Sequence, residues 1–406
     1  MTDSTFDESD EVTGPPGPLP PETPLEPQPL SAAEEKPEMA EWLVDSDFEE
    51  PEHDEAVLEH RPPQLPGPGL LEAGLWIIGV FVAQIVGAMI VVFGLMVEIV
   101  ATEGMEGMPT TAEQIEAFLV QNVVLFIGGS LALPFVLTPF ATRLRLGSDV
   151  IRRLSLRPVS VRHLVPTVLL VLPMALLSGQ IAWWMQQILG ADAKGGQQMF
   201  NPIEELVKQA PLPILILIIA VVPAIYEELI FRGVIGRGLL ARRGLVVGVL
   251  LTSLMFAMVH LMPAQVVALI PLSISLHLLY LATRTFWIPM LVHFLNNALA
   301  AVVMKFPPPE AVKGIGEDGP LSLPLLLSVV ACVIFVIHYI WRTRVEFALP
   351  DGTWWNPGYT TAEAPPASLM TVARHRSVAV VPGLLAMLAL AAFYGSLGLQ
   401  MMAANQ

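Results

Sequence analysis

Nine apolar stretches constrain this chain more than any other feature. They run roughly over 74–97, 117–140, 164–189, 212–235, 246–261, 264–281, 287–304, 321–341 and 378–401. About 20 residues cross the hydrocarbon core of a bilayer. A backbone placed there must satisfy its own polar groups, which leaves helices as the spanning form for runs of this kind. The expected fold is therefore all-α: a polytopic transmembrane helical bundle of about eight to nine spans. Charged residues make up only 14% of the chain and hydrophobic ones 54%, against about 25% charged in soluble domains. A soluble enzyme and a nucleic-acid binder are excluded on those grounds.

The net charge of −16 sits at one end. Residues 1–68 carry 19 of the 37 acidic residues and 14 of the 37 prolines, but only Lys36 and Arg61 of the 21 basic ones. So few apolar groups cannot offset the entropy of ordering the chain. Residues 1–69 are expected to be a disordered, acidic, Pro-rich cytoplasmic tail, and 70–406 the transmembrane helical domain. In the rest of the chain the basic residues are unevenly shared. One set of connections carries Arg143, Arg145, Arg152, Arg153, Arg157, Arg162, Arg237, Arg242, Arg243, Arg284, Arg342, Arg344, Arg374 and Arg376. The other carries Lys194, Lys208, Lys305 and Lys313. Positive charge marks the cytoplasmic side, so the N-terminus is expected inside, with the protein integral to the cell (inner) membrane. The long connection 342–376, with Trp354, Trp355 and Tyr359, reads as a loop anchored at the interface. Cys332, the single cysteine, reads as a buried thiol and allows no intrachain disulfide.

Ionisable groups inside spans are costly and mark function by default. They gather in three stretches. In VVPAIYEELIFRGVIGRG, Glu228 and Arg232 stand one turn apart, in the favourable order for an ion pair. Glu227 lies about 100° round the helix and cannot share Arg232 equally, which frees it to hold water. Gly233 and Gly236 permit close helix approach. In LTSLMFAMVHLMP, Phe256 and His260 share a face. In FWIPMLVHFLNNAL, His293 and Asn297 share a face, while Asn296 points elsewhere. A carboxylate, two imidazoles and an amide, without a nucleophilic Ser or Cys, suit water activation. Glu227 would be the general base with His260 holding the water, and His293 and Asn297 would meet a developing oxyanion. His and Glu are also ordinary zinc ligands, so Glu227, His260 and His293 could instead bind a metal. Spacing alone does not decide between the two. His163 reads as interfacial, and His277 and His338 as packing residues.

EELIFR, FAMVH and HFLNN fit EExxxR, FxxxH and HxxxN. In that order, on consecutive apolar stretches, they resemble the CPBP family: type II CAAX prenyl proteases and bacteriocin-processing or immunity proteins. The resemblance covers about 212–304. It implies an intramembrane endopeptidase with catalytic Glu227, His260, His293 and Asn297, supported by Glu228 and Arg232. A glutamate-activated water needs no cofactor; a divalent metal such as zinc is the other mechanism. The partners implied are the lipid bilayer and a membrane-associated peptide substrate, of CAAX-type prenylated or leader-bearing kind. The family's frequent glycine-containing turn before the third motif is replaced here by TRTFWIP.

The alternatives are a catalytically silent peptide-binding scaffold or immunity-type protein, and a transporter. The latter is disfavoured because EELIFR has no internal repeat. One requirement is sharp. If the fifth stretch starts at Val246, His260 lies much deeper than Glu227 and His293, unless stretches four and five project past the bilayer together.

Overall fold

The computed structural model describes residues 66–190, 202–307, 319–376 and 380–404. Up to residue 65, the expected tail lies outside the described residues. The described chain is helical almost throughout, with eight helical runs long and apolar enough to cross a membrane. The elements used below are α1 (Leu70–Glu103), α3 (Val123–Leu146), α4 (Val150–Arg153) and α5 (Val161–Leu189). They are joined by α7 (Leu212–Ile216), α8 (Val222–Glu228), α9 (Gly236–Met258), α10 (Pro263–Thr283), α11 (Trp287–Lys305), α12 (Leu323–Arg342) and α13 (Val380–Ala404). A short helix, α2 (Ala112–Gln121), starts on a capping box between Thr111 and Gln114; α6 (Pro202–Gln209) precedes α7.

Nine stretches become eight runs because the fourth and fifth are one continuous run, Leu212–Met258. It is nevertheless a hairpin. Gly244 has φ 73° and ψ −176°, outside helical geometry, a conformation that glycine adopts without the Cβ penalty. The arms then return side by side. A Cβ on Gly248 would fall 2.7 Å from the Leu240 Cα. Phe256 packs edge-on to Phe231, with ring centroids 5.2 Å apart. Because the fold point is Gly244, residue 260 returns to the level of residue 228. That register brings His260 back toward the first motif.

The first arm is not a uniform α-helix. Leu217–Val221 and Leu229–Ile235 are π-helical, the wider winding found mostly as short bulges at functional sites. Pro223 contributes to the irregularity: it has no N–H for the Ile219 carbonyl four residues back.

Around the hairpin, one buried cluster joins α5, α10, α11, α12 and α13 through residues such as Leu170, Leu276, Val292, Cys332 and Phe393. A second joins α1 to the hairpin through Ala73, Tyr226, Ile230, Phe231 and Phe256. Gly236 lies against α10, where an added Cβ would fall 2.5 Å from the His277 Nε2. Gly233 lies against Leu154. The close approach expected of both glycines is thus observed, and His277 is a packing residue.

One expectation needs correction. The connection 342–376 is not merely an interfacial anchor. It contains a β-hairpin, β1 (Val345–Ala348) pairing antiparallel with β2 (Val372–His375), and its intervening strap folds back onto the bundle. Glu363 is buried and ion-paired to Arg237. It accepts from the Tyr359 hydroxyl at 2.6 Å, and its carbonyl accepts from Arg284 at 3.1 Å. Buried cations need a carboxylate more than the interface needs an aromatic. His163 is enclosed by protein. It is 1% exposed, with Nε2 3.1 Å from both the carbonyl and the hydroxyl of Thr343.

The TRTFWIP turn works without glycine. Arg284 itself adopts the left-handed region, φ 48° and ψ 40°, at a cost of about 1–2 kcal/mol for a residue with a Cβ. Its carbonyl accepts from the Ser155 hydroxyl at 2.7 Å. Its guanidinium lies over Phe347 and Trp355.

Candidate active site

The three motifs meet around Phe256. Its ring contacts the Arg232 guanidinium (4.7 Å), the His293 ring (5.6 Å) and the His260 ring (5.4 Å). The phenylalanine of FAMVH is therefore the hub between the first and third motifs.

Glu228 and Arg232 are fully buried and paired, Nη1 to Oε1, at 2.8 Å. The i,i+4 reading is observed as expected. What spacing did not reveal is the second partner: His293 Nδ1 lies 2.7 Å from the same Glu228 oxygen. A carboxylate only accepts, so the Nδ1–H donates and Nε2 is turned toward the remaining space. Arg232 also donates to the carbonyl and hydroxyl of Ser273 on α10, at 3.3 and 3.1 Å. A buried charge needs such satisfaction.

Glu227 is kept apart from Arg232. It is 9% exposed. One oxygen accepts from the Tyr226 hydroxyl at 3.0 Å, and Tyr226 in turn accepts from Gln84 of α1 at 3.3 Å. The other oxygen, Oε2, is buried without a hydrogen-bond partner and lies 3.7 Å from His293 Nε2. That is one step longer than a hydrogen bond, between two groups both suited to water or a substrate.

Asn297 holds the hairpin from the other side. Its Nδ2 donates to the Ile219 carbonyl at 3.2 Å, the carbonyl that Pro223 leaves without an α-helical donor. Asn296 donates to the Asn297 side-chain oxygen at 3.4 Å, which fixes which end of the amide carries the N–H groups. One N–H remains for another acceptor.

His260 is half-buried and bonds, through Nδ1, to the Phe256 carbonyl at 3.2 Å. It does not hydrogen-bond Glu227 directly; the Phe256 ring lies between the motifs. Among the described residues no three His, Cys, Asp or Glu side chains form a group that could hold a metal ion. Glu228 and His293 spend their facing atoms on each other. Tyr226, Gln84 and Ser273 were not singled out from sequence. Only Tyr226 carried a signal, as the polar ring preceding Glu227.

A membrane-buried carboxylate with an open oxygen, facing an imidazole whose other nitrogen is tied down, is a constellation suited to hydrolysis. The eight apolar runs make the chain an integral membrane protein. Comparison with known proteins points the same way. Residues 209–299 match the sequence model of the family described as type II CAAX prenyl endopeptidase Rce1-like. YdiL of Bacillus subtilis (strain 168), provisionally named a membrane peptidase, is 23% identical over 152 residues. That match covers 37% of this chain and 58% of the relative, so the chain spans less than two thirds of YdiL's length. No solved structure matches the chain. The resemblance to the CPBP family, read from EELIFR, FAMVH and HFLNN, is borne out over this core.

Proposed function

We propose that the chain is an intramembrane endopeptidase of the glutamate type. The observation that carries this reading is the unbonded, buried Oε2 of Glu227, 3.7 Å from His293 Nε2. Water held at Glu227 Oε2 and reached by His260 would lose a proton to the carboxylate as its oxygen attacks the scissile carbonyl. The carbonyl oxygen gains negative charge, which the remaining Asn297 N–H and a protonated His293 Nε2 would stabilise. Collapse breaks the C–N bond, and the proton on Glu227 passes to the leaving amine. Glu228 lowers the cost of positive charge on His293 through the Nδ1 hydrogen bond. The substrate is a membrane-associated peptide, CAAX-type prenylated or leader-bearing, approached from the cytoplasmic half of the membrane.

The test uses the full chain in liposomes with a quenched-fluorescent, lipid-anchored peptide library. Glu227→Gln keeps the shape and the Tyr226 contact but removes the base. Turnover is expected to fall at least about 10²-fold while the melting temperature holds. Unchanged turnover in Glu227→Gln would overturn the mechanism. Binding of the peptides without cleavage by the unaltered chain would favour the scaffold reading.

A further inference from the structure

A polar cavity lies at the arginine-rich end of the bundle, and Glu227 is not among its lining residues. Its volume is about 150 Å³, room for a tetrahedral anion with a few waters at about 30 Å³ of liquid each. It is enclosed by the turn before α5, the α10–α11 turn and the β-hairpin, and its lining includes Arg157, Ser160, His163, Thr285, Arg374 and His375. No Asp or Glu lines it.

The cavity is built rather than incidental. Arg157 is held from both sides: its guanidinium stacks 4.7 Å from the Phe347 ring of β1, and its carbonyl accepts from the Thr285 hydroxyl at 2.7 Å. Among the described residues it has no ion-pair partner, and burial holds its pKa below the ordinary arginine value. Arg374 lies opposite Glu346 in the hairpin, a carboxylate whose Oε1 is already shared by Arg344 at 2.8 Å and Arg376 at 3.7 Å. Ser160 is the N-cap of the 29-residue α5, yet its hydroxyl makes no capping bond. The open N–H groups and positive end of that helix add to the two guanidiniums. His163 and His375 close the inner wall edge to ring, with centroids 4.9 Å apart.

Arg157, Arg374 and the start of α5 thus all border one small cavity that no carboxylate lines, and a partly desolvated arginine without an acid is the costly part. An anion supplies what the protein withholds. Planar guanidinium groups favour phosphate oxygens. The cavity also sits where α5 begins and α10 ends, at the arginine-rich ends of two apolar runs, and basic pockets between membrane helices hold lipid phosphates. We propose that this cavity binds a phosphate group, that of an anionic phospholipid headgroup or the free ion. Occupancy would join the β-hairpin strap to the bundle.

The full chain, purified in detergent, is titrated with short-chain phosphatidylglycerol and separately with inorganic phosphate, and retention is read by native mass spectrometry. One molecule of phosphatidylglycerol per chain is expected, with retention at least tenfold lower in Arg157→Gln and lower in Arg374→Gln. Arg374 is exposed, so its variant guards against a folding artefact, as does an unshifted melting temperature. Arg342→Gln, at the same end but outside the cavity, should retain the lipid fully. If inorganic phosphate alone shows the Arg157 dependence, the phosphate chemistry stands and the lipid source is overturned. Equal retention of both probes by the chain and by both cavity variants would overturn the proposal.

Discussion

His293 Nδ1 and Arg232 Nη1 converge on a single oxygen of Glu228, at 2.7 and 2.8 Å. One buried carboxylate therefore balances a guanidinium on its own helix and orients an imidazole on α11. It does so without touching the neighbouring Glu227, whose open oxygen faces the other nitrogen of the same ring at 3.7 Å. Adjacent glutamates in sequence thus have separate roles: one fixes the histidine and the other shares its free side.

Removing the charge of Glu228 leaves Arg232 buried without its counter-ion. Breaking such a pair costs about 3–5 kcal/mol. Glu228→Gln should lower stability by that order and release the His293 ring, so activity falls as well. Glu228→Gln combined with Arg232→Met should regain much of the stability but none of the activity. Unfolding in detergent, read alongside peptide cleavage, checks both.

Asn297 joins α11 to the π-helical arm through the Ile219 carbonyl. Asn297→Ala leaves that half-buried carbonyl without the Asn297 donor, a cost of about 1 kcal/mol. It also removes the proposed oxyanion donor, a group worth about 10²–10³ in kcat. The account expects kcat to fall far more than KM rises. A change confined to KM would assign Asn297 to substrate binding alone.

Gly236→Ala places a methyl group 2.5 Å from the His277 ring and from the Phe231 carbonyl. Overpacking of this kind costs about 1–3 kcal/mol. His277→Ala in the same chain should relieve the ring clash but not the backbone contact, so rescue should be partial. Melting temperatures of the two single variants and the double variant measure this directly.

Glu363 is the counter-ion of the strap. Glu363→Gln should leave Arg237 uncompensated and loosen residues 349–371, so limited proteolysis in that segment should speed up. Tyr359 reports the same contact. Burial and the Glu363 carboxylate push its phenol up to about 12, and Glu363→Gln should bring it down toward the ordinary tyrosine value, as followed by ultraviolet titration.

The motifs made the elements and the Glu228–Arg232 pair legible, because i,i+4 spacing on one helix fixes distance. Contacts between helices were not legible. Glu228 and His293 are 65 residues apart, and spacing carries no information across a turn of unknown direction. The depth of His260 was the weakest point from sequence. Gly244 decides it, and a lone glycine beside Arg243 gives little warning of a hairpin. The docking of the strap is hidden in the sequence because Glu363 looks like any loop acid until three arginines from other segments, Arg152, Arg237 and Arg284, are placed around it.

The central claim is that Glu227 activates the water that cuts a membrane-associated substrate. The most direct measurement compares protein termini across the membrane proteome of cells carrying the native chain and cells carrying Glu227→Gln at equal abundance. The account predicts that a specific set of new termini disappears in the variant, which also identifies the substrate. An identical set of termini, with the cellular phenotype of the native chain intact, would contradict it.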